Sequence, residues 1–336
     1  MLKFAIIGVG GLGKMHLKNV AKLERERGDI KLTALCDVEE SRFTEKIEIN
    51  LGGDATPTDL TGYRLYTDAN ELLKKEELDF VMTALPTYVH ERIAVQALNA
   101  GLHVFSEKPM ARSLAECQNM VDRAKANKRL LMIGQCLRYW PEYVKLKEFI
   151  DSRKYGKVLR AEFFRYSSPP RWAWQNWFLD FEKSGGAALD MHVHDVDFIN
   201  WVFGTPVKVS SRATHVTSKF DSIVTSYDFA DEKVVNSVGD WGLPKSYAFS
   251  ASYMVKFENA AVEMRGGVTK VYPEDGEAFA LEFPVEDAYV NEVCDFIECI
   301  KAGRELTVVT PESAMLTIKI VTAEMESAER GVPVNV

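Results

Sequence analysis

Short apolar runs rich in β-branched residues alternate with longer amphipathic segments along residues 1–134. Runs such as Phe4-Ala5-Ile6-Ile7 and Phe80-Val81-Met82 are apolar on both faces, which is typical of parallel strands covered by helices. Strands and helices that alternate with short connections predict an α/β domain with a doubly wound parallel sheet. The predicted strands are Lys3–Gly8, Ile30–Cys36, Arg64–Tyr66, Leu78–Ala84, His103–Phe105 and Leu130–Gly134. The predicted helices lie near residues 12–26, 39–50, 69–76, 88–100 and 112–127.

The pattern changes after residue 134, where consecutive strand-like runs replace this alternation. Between residues 206 and 283 the runs have period-2 character and are separated by turn residues, which predicts a large, open, mainly antiparallel sheet. Further helices are predicted near residues 142–150, 187–203, 286–302 and 311–329. We therefore expect an α/β domain over 1–134 and an α+β domain over 135–336.

An open sheet leaves one of its faces uncovered by its own strands. If the few helices of the second domain lie on one side, the other side needs a partner, which predicts a homodimer or homotetramer assembled through this sheet. The alternative is a face that is simply polar and solvated.

Composition excludes several classes of protein. The chain of 336 residues carries 41 basic and 49 acidic side chains, a net charge of −8, and its basic runs are short, so nucleic acid is not an expected partner. No stretch approaches the ~18 uninterrupted apolar residues of a membrane-spanning helix. Five cysteines without a Cys-x-x-Cys pair indicate reduced thiols in a cytoplasm rather than disulfides or a zinc site.

The segment Gly8-Val9-Gly10-Gly11-Leu12-Gly13 matches G-x-G-x-x-G directly after the first strand and at the start of a helix. In the Rossmann fold Gly8 would allow the tight turn, Gly10 would let a pyrophosphate approach the backbone, and Gly13 would permit close helix–strand packing. The helix start offers free N–H groups to the phosphates, so Gly8, Gly10, Gly11, Leu12 and Gly13 are predicted to bind a dinucleotide.

Asp37 ends the second strand, 24 residues after Gly13. Its carboxylate can accept hydrogen bonds from the ribose hydroxyls and would repel a 2′-phosphate, which favours NAD over NADP, although NADP stays possible. The alternative is that Asp37 only caps the following helix.

Three later segments combine polar residues with places where ligands of such folds bind. Glu107-Lys108-Pro109 follows the fifth strand, at the carboxyl edge of the sheet. Gln135-Cys136-Leu137-Arg138-Tyr139-Trp140-Pro141 follows the sixth strand. The third segment runs from Gly185-Gly186 through Asp190, His192 and His194 to Asp197.

With these segments in this order, the sequence resembles the glucose–fructose oxidoreductase / inositol dehydrogenase (Gfo/Idh/MocA) family over essentially its whole length. The shared pattern is the glycine turn, Leu85-Pro86-Thr87-Tyr88-Val89-His90 after the fourth strand, Glu107-Lys108-Pro109, and Gly-Gly-x-x-x-Asp-x-x-x-His-x-x-Asp from Gly185 to Asp197. The resemblance implies an NAD(P)-dependent dehydrogenase that acts on a secondary alcohol of a sugar, an inositol or a sugar derivative. Proteins of this family often have a cis peptide bond at the position of Lys108–Pro109, so the resemblance implies one here.

The same resemblance implies roles for individual residues. Lys108, Asp190 and His194 would form the catalytic group. Further cofactor contacts are expected from Pro86, Thr87, His90, Glu107 and Lys108.

Helix geometry supports the catalytic group independently. Positions 190, 194 and 197 share one helix face, so Asp190 can orient His194, whose ordinary pKa suits a proton shuttle. Lys108 would stabilise the alkoxide that develops as the hydroxyl loses its proton. The alternatives are a structural histidine on a buried helix face and a surface lysine.

A metal site is not expected, because positions 192 and 194 are about 200° apart around a helix and cannot bind one ion. The commoner family pattern has a small residue where this chain has His192. We therefore expect His192 to reshape the substrate pocket.

Three tryptophans fall within six residues between Pro169 and the Gly185-Gly186 turn. Aromatic faces such as those of Trp174 and Trp177 can stack on the C–H faces of a sugar ring, with Arg138 also facing the substrate. The alternative is that the tryptophans fill a core or a subunit interface. The predicted substrate contacts are Lys108, Arg138, Trp174, Trp177, Asp190, His192 and His194.

Two other functions remain open. One is a non-catalytic nicotinamide-binding regulator, which would have lost the Lys/Asp/His group. The other is a carbonyl or imine reductase of the same layout, which would favour NADP and would not require Asp190 with His194.

Overall fold

The computed structural model describes residues 1–44 and 60–336. It divides into two compact units. The first unit comprises Met1–Gln135 together with Tyr289–Glu312, and the second comprises Cys136–Ala288 together with Ser313–Val336. The change of pattern after residue 134 thus lies at a boundary between units, whereas Tyr289–Glu312 returns to the first unit.

The described residues up to Gly134 include the predicted parallel sheet. Its strands are β1 (Leu2–Ile7), β2 (Ile30–Cys36), β3 (Arg64–Tyr66), β4 (Phe80–Thr83), β5 (His103–Glu107) and β6 (Leu131–Gly134). Its helices are α1 (Gly11–Arg27), α2 (Ala69–Lys75), α3 (His90–Asn99) and α4 (Leu114–Asn127). The strand order is β3-β2-β1-β4-β5-β6, and every pair is parallel, so the doubly wound sheet is confirmed.

The helix predicted near 39–50 differs from the structure. Glu40–Phe43 form a single 3-10 turn, and residues 45–50 of that prediction lie outside the described residues.

Both faces of this sheet are buried at its central strands, as their apolar sequences predict. The Phe4 and Phe80 rings stack with centroids 4.6 Å apart on adjacent strands. Phe296, from the helix that begins at Ala288, packs edge-on against Phe80 and Phe105 at 5.6 and 5.9 Å. This aromatic contact explains why Tyr289–Glu312 belongs to the first unit.

Five more helices and nine more strands follow β6 in the described part of the chain. The helices are α5 (Pro141–Ser152), α6 (Phe181–Ser184), α7 (Val193–Phe203), α8 (Ala288–Ala302) and α9 (Pro311–Arg330), and a π-helical turn, Ala188–His192, leads into α7. The strands are β7 (Val158–Tyr166), β8 (Lys208–Thr214), β9 (Ser222–Asp228), β10 (Val234–Asp240), β11 (Ser250–Phe257), β12 (Ala260–Arg265), β13 (Val268–Pro273), β14 (Phe279–Ala280) and β15 (Val334–Asn335).

The strands of the second unit form one mixed sheet in the order β14-β13-β12-β11-β7-β10-β9-β8-β15. β7 and β10 run parallel, and the other pairs are antiparallel, which confirms the mainly antiparallel sheet. One face is buried: Phe163 of β7 packs against Phe198 of α7, with ring centroids 5.8 Å apart. The other face carries partly exposed apolar side chains, including Val224 and Val234 at 46% and 52% exposure.

Among the described residues, no helix combines the length and apolar character needed to cross a membrane.

Candidate active site

The glycine turn connects β1 to α1, and steric contacts explain two of its glycines. Gly8 has φ +96°, and a Cβ there would lie 2.3 Å from the Ala84 carbonyl oxygen. A Cβ at Gly13 would lie 2.0 Å from the Gly8 carbonyl oxygen. Both positions therefore need glycine for the fold itself.

Gly10 differs, because a Cβ there would meet nothing within 4 Å. Gly10 is also the N-cap of α1, whose first turn contains no acidic residue. The missing side chain thus leaves space beside the backbone N–H groups and positive end of a helix, which is what a pyrophosphate requires. The residues present fit a dinucleotide.

The Asp37 carboxylate is fixed by backbone donors at the end of β2. It accepts hydrogen bonds from the Val9 N–H at 2.8 Å and from the Glu39 N–H at 3.0 Å. The 3-10 turn that follows has Glu39 as its N-cap and no side-chain capping bond. Asp37 therefore braces the glycine turn and does not act as the N-cap of that helix.

The loop after β4 is held by His90. Its Nδ1 lies 2.7 Å from the Pro109 carbonyl oxygen and its Nε2 lies 2.7 Å from the Leu85 carbonyl oxygen. Burial lowers the pKa of His90 below its usual value, and the two carbonyl contacts oppose that shift. His90 thus links the loops after β4 and β5. In the loop after β4, Thr87 is buried and Pro86 is half-buried. Their contact with a cofactor stays a prediction.

Glu107 ends β5, and Lys108 follows the strand. Glu107 is buried, accepts a hydrogen bond from the Lys108 N–H at 3.1 Å, and has its Oε1 2.6 Å from Nε2 of His16 on α1. The half-buried Lys108 is joined to Pro109 by a cis peptide bond, as the family resemblance implies. His16 was missed by the sequence reasoning, although it follows the glycine turn on α1.

His16, Glu107 and Glu292 bring three buried potential metal ligands within 4.8 Å of one another. The 2.6 Å separation of His16 and Glu107 is a hydrogen-bond distance. Two ligands of a tetrahedral zinc ion would stand about 3.3 Å apart. The geometry therefore fits a hydrogen-bonded His–Glu pair.

In the second unit, Asp190 lies in the π-helical turn and His194 lies one residue into α7 from its start. Between Ala187 and Asn200, these two residues are half-buried and every other residue is buried. The helix thus exposes one carboxylate and one imidazole on an otherwise covered segment. Sequence reasoning proposed the same pair, but from a regular α-helix.

Two buried bidentate ion pairs hold this helix. Arg165 donates to both carboxylate oxygens of Asp195 at 2.9 and 3.0 Å, and Arg138 donates to both oxygens of Asp197 at 2.8 and 2.7 Å. Burial alone would lower the pKa of Arg165, but the facing Asp195 carboxylate keeps that pKa above its usual range.

Arg138 was expected to face the substrate. It is 3% exposed, and besides Asp197 it donates to the Ser313 hydroxyl at 3.1 Å. These surroundings favour a structural role over contact with a substrate.

Cys136 adds a group that sequence reasoning did not assign to the site. Its Sγ lies 3.9 Å from Nδ1 of His194, within the contact distance of a sulfur hydrogen bond. The sequence does place Cys136 in the polar segment that follows β6. The sequence analysis considered only the redox state of the five cysteines.

His192 lies elsewhere than expected. It is 0% exposed, with Nε2 3.2 Å from Oε2 of Glu324 and 3.3 Å from the Ser237 hydroxyl. A fully buried ring offers no surface to a substrate, so the structure does not support the expected contact.

The tryptophan segment packs partly against other residues of the second unit. Trp177 stacks on Phe178 with centroids 4.0 Å apart, and Phe178 packs against the cluster of Ala187, Met191 and Trp241. Trp174 and Trp177 are half-buried. The segment therefore lies beside the residues that begin the Asp190 turn, and its contact with a sugar stays a prediction.

The glycine turn and the Rossmann sheet are features of a dinucleotide-binding protein. The profile of the oxidoreductase family with an NAD-binding Rossmann fold matches residues 2–135, and that of the GFO/IDH/MocA C-terminal domain matches residues 143–263. The chain belongs to the Gfo/Idh/MocA family of oxidoreductases.

Similar proteins include inositol dehydrogenases. Myo-inositol 2-dehydrogenase of Thermotoga maritima is 30% identical over 62% of this chain and 56% of its own length, so the match spans about half of that relative. The scyllo-inositol 2-dehydrogenase (NAD(+)) of Bacillus subtilis is 24% identical over 99% of this chain and 96% of its own length.

A solved structure shows the same fold. The WlbA dehydrogenase from Bordetella pertussis, in complex with NADH and UDP-GlcNAcA, superposes with a TM-score of 0.80 at 20% identity, covering 100% of this chain and 98% of that chain.

Two glycine substitutions distinguish an effect on folding stability from an effect on dinucleotide binding. Gly13→Ala should lower the free energy of unfolding by about 1–3 kcal/mol, because its Cβ meets the Gly8 carbonyl. Gly10→Ala should leave unfolding unchanged but weaken NADH binding by about tenfold or more, because its Cβ fills the space meant for the pyrophosphate. Urea unfolding and NADH fluorescence titration measure the two effects. Unchanged NADH binding in Gly10→Ala would contradict this site.

Proposed function

We propose that this protein is an NAD-dependent dehydrogenase that oxidises a secondary alcohol of a sugar, an inositol or a related polyol. The observation that carries the proposal is the helical segment in which Asp190 and His194 alone are partly exposed between Ala187 and Asn200. A carboxylate and an imidazole on one otherwise buried helical segment suit proton transfer. The names of the inositol dehydrogenases above support the substrate class.

The bound nicotinamide supplies the acceptor for the hydride that leaves the carbinol carbon. The residues of the chain handle the remaining proton. His194 takes the proton from the hydroxyl, Asp190 stabilises the imidazolium that forms, and the Lys108 ammonium stabilises the negative charge that develops on the oxygen. The glycine turn and Asp37 hold the dinucleotide. A non-catalytic regulator would not need Lys108, Asp190 and His194 together, so we favour the enzyme.

The substrate class is tested by incubating the purified protein and NAD with myo-inositol, scyllo-inositol, aldoses and sugar acids. We expect reduced cofactor to accumulate with at least one polyol or sugar. Reduction of a carbonyl or imine by NADPH, without oxidation of any alcohol, would instead support the reductase alternative.

Lys108→Met and His194→Asn should each lower kcat by about 10²–10⁴-fold, because each removes a group that acts on the reacting oxygen. NADH affinity should change little, since the dinucleotide turn is intact. Steady-state kinetics and NADH fluorescence measure the two quantities.

Lys125→Met and His215→Asn are the matched controls, since both residues are exposed. They should behave like the unmodified protein. Normal turnover in both Lys108→Met and His194→Asn would contradict the assigned roles.

We propose that NAD is preferred to NADP, because the Asp37 carboxylate is fixed beside the glycine turn by its bonds to Val9 and Glu39. Asp37→Ser should raise kcat/KM for NADP relative to NAD by about tenfold or more, since the repulsion of a 2′-phosphate is lost. Glu40→Ser, an exposed acidic neighbour, is the control. An unchanged cofactor ratio in Asp37→Ser would leave Asp37 with its structural role alone.

We further propose a homodimer or homotetramer that covers the open face of the second sheet. Val224, Val238 and Phe164 lie in one cross-strand row on that face, which places apolar side chains together. Val224→Lys with Val238→Lys should lower the molar mass measured by light scattering, whereas Val216→Lys, in an exposed loop, should not. A monomeric unmodified protein at micromolar concentration would contradict this assembly.

The five free cysteines favour a reducing cytoplasm.

A further inference from the structure

The Asp190–His194 segment begins with an unusual backbone. Ala188–His192 form a π-helical turn before α7 continues as an ordinary helix. Single π turns are rare, and they persist where the surrounding structure holds them in place. The residue that ends this turn is His192, which lies midway in sequence between Asp190 and His194.

His192 is enclosed by three elements. Glu324 of α9 faces its Nε2 at 3.2 Å, and both side chains are 0% exposed. Ser237 of β10 lies 3.3 Å from the same nitrogen and is itself 2.6 Å from the Tyr227 hydroxyl of β9. Burial and the nearby Glu324 raise the pKa of Tyr227 well above its usual value, so Tyr227 is a neutral hydrogen-bonding group.

Gly239 shows that the sheet is shaped for this ring. A Cβ at Gly239 would lie 2.7 Å from Cβ and 2.8 Å from Nδ1 of His192. Gly239 therefore leaves the space that the imidazole occupies. A larger side chain at either residue would push the π turn away from the sheet.

We propose that the buried contact between His192 and Glu324 positions Asp190 and His194 by holding the π-helical turn against the sheet and α9. The extra residue of a π turn changes the direction in which the flanking side chains leave the helix. Loss of the pair would free that turn and move the carboxylate and the imidazole relative to each other. His192 is then a positioning residue and not a substrate contact. This role rests on the proposed function of Asp190 and His194.

The sharpest test replaces the Glu324 carboxyl group with an amide of the same shape. Glu324→Gln should lower kcat by about 10²-fold, the order expected when reacting groups are misplaced by about 1 Å. KM, the order of preferred substrates and NADH affinity should stay unchanged, because no binding group is altered. His192→Gln should have a similar effect, and the double variant should be no worse than either single variant, because the two residues act as one unit. All assays are run well below the unfolding temperature of each variant.

Glu329→Gln is the matched control. It makes the same substitution on α9, but Glu329 forms an exposed ion pair with Lys219 at 3.3 Å. It should leave every parameter unchanged.

A measurement that does not depend on turnover separates this inference from the proposed function. The side-chain ¹⁵N resonances of His194 should shift or broaden in Glu324→Gln and match the unmodified protein in Glu329→Gln. If no substrate is found but the resonances respond, the positioning role stands and the dehydrogenase proposal fails. Unchanged resonances with unchanged kcat would overturn the positioning role, even if the unfolding temperature falls. A raised KM and an altered substrate preference at constant kcat would make His192 a substrate contact instead.

Discussion

Parallel strands end at one edge of a sheet, and the candidate dinucleotide site of the first unit depends on that constraint. The glycine turn follows β1, Asp37 follows β2, and Glu107 ends β5. Because the strands are hydrogen-bonded in register, these residues cannot move apart without breaking the sheet. Hydrogen bonds across this edge then tighten the arrangement: Asp37 binds the Val9 N–H, and His16 contacts Glu107.

The second unit differs from the first, because its proposed catalytic groups lie on a helix that is otherwise buried. Asp195 and Asp197 are each held by a buried arginine, and removing one partner of such a pair typically costs about 3–5 kcal/mol. With those contacts fixed, rotation of the helix is strongly opposed. The same helix carries the half-buried Asp190 and His194, so stability and the proposed chemistry depend on the same ion pairs.

The sequence was sufficient for features that depend on local patterns. Apolar runs predicted the strands of the first sheet, and the spacing of Gly8, Gly10 and Gly13 predicted the turn that the structure shows. The open sheet was also predictable from its period-2 runs. The choice of Asp190 and His194 followed from the family pattern and stays a prediction, and both side chains are half-buried.

Features that depend on distant residues were not predictable in this way. The π-helical turn has no distinct periodicity, and the partner of His192 is Glu324, 132 residues further along the chain. The positive charge of Arg138 would suit a substrate as well as a carboxylate of the chain. Only the structure shows that Arg138 pairs with Asp197. The helix α8 was predicted correctly, but its return to the first unit depends on Phe296 contacting Phe80 and Phe105.

In the proposed reaction a hydride passes directly from a carbinol carbon to the nicotinamide while the chain removes the hydroxyl proton. The most direct measurement uses the polyol identified by the substrate panel, deuterated at its carbinol carbon, and mass spectrometry of the reduced cofactor. Direct transfer predicts one deuterium in each molecule of reduced cofactor. Reduced cofactor without deuterium would contradict it.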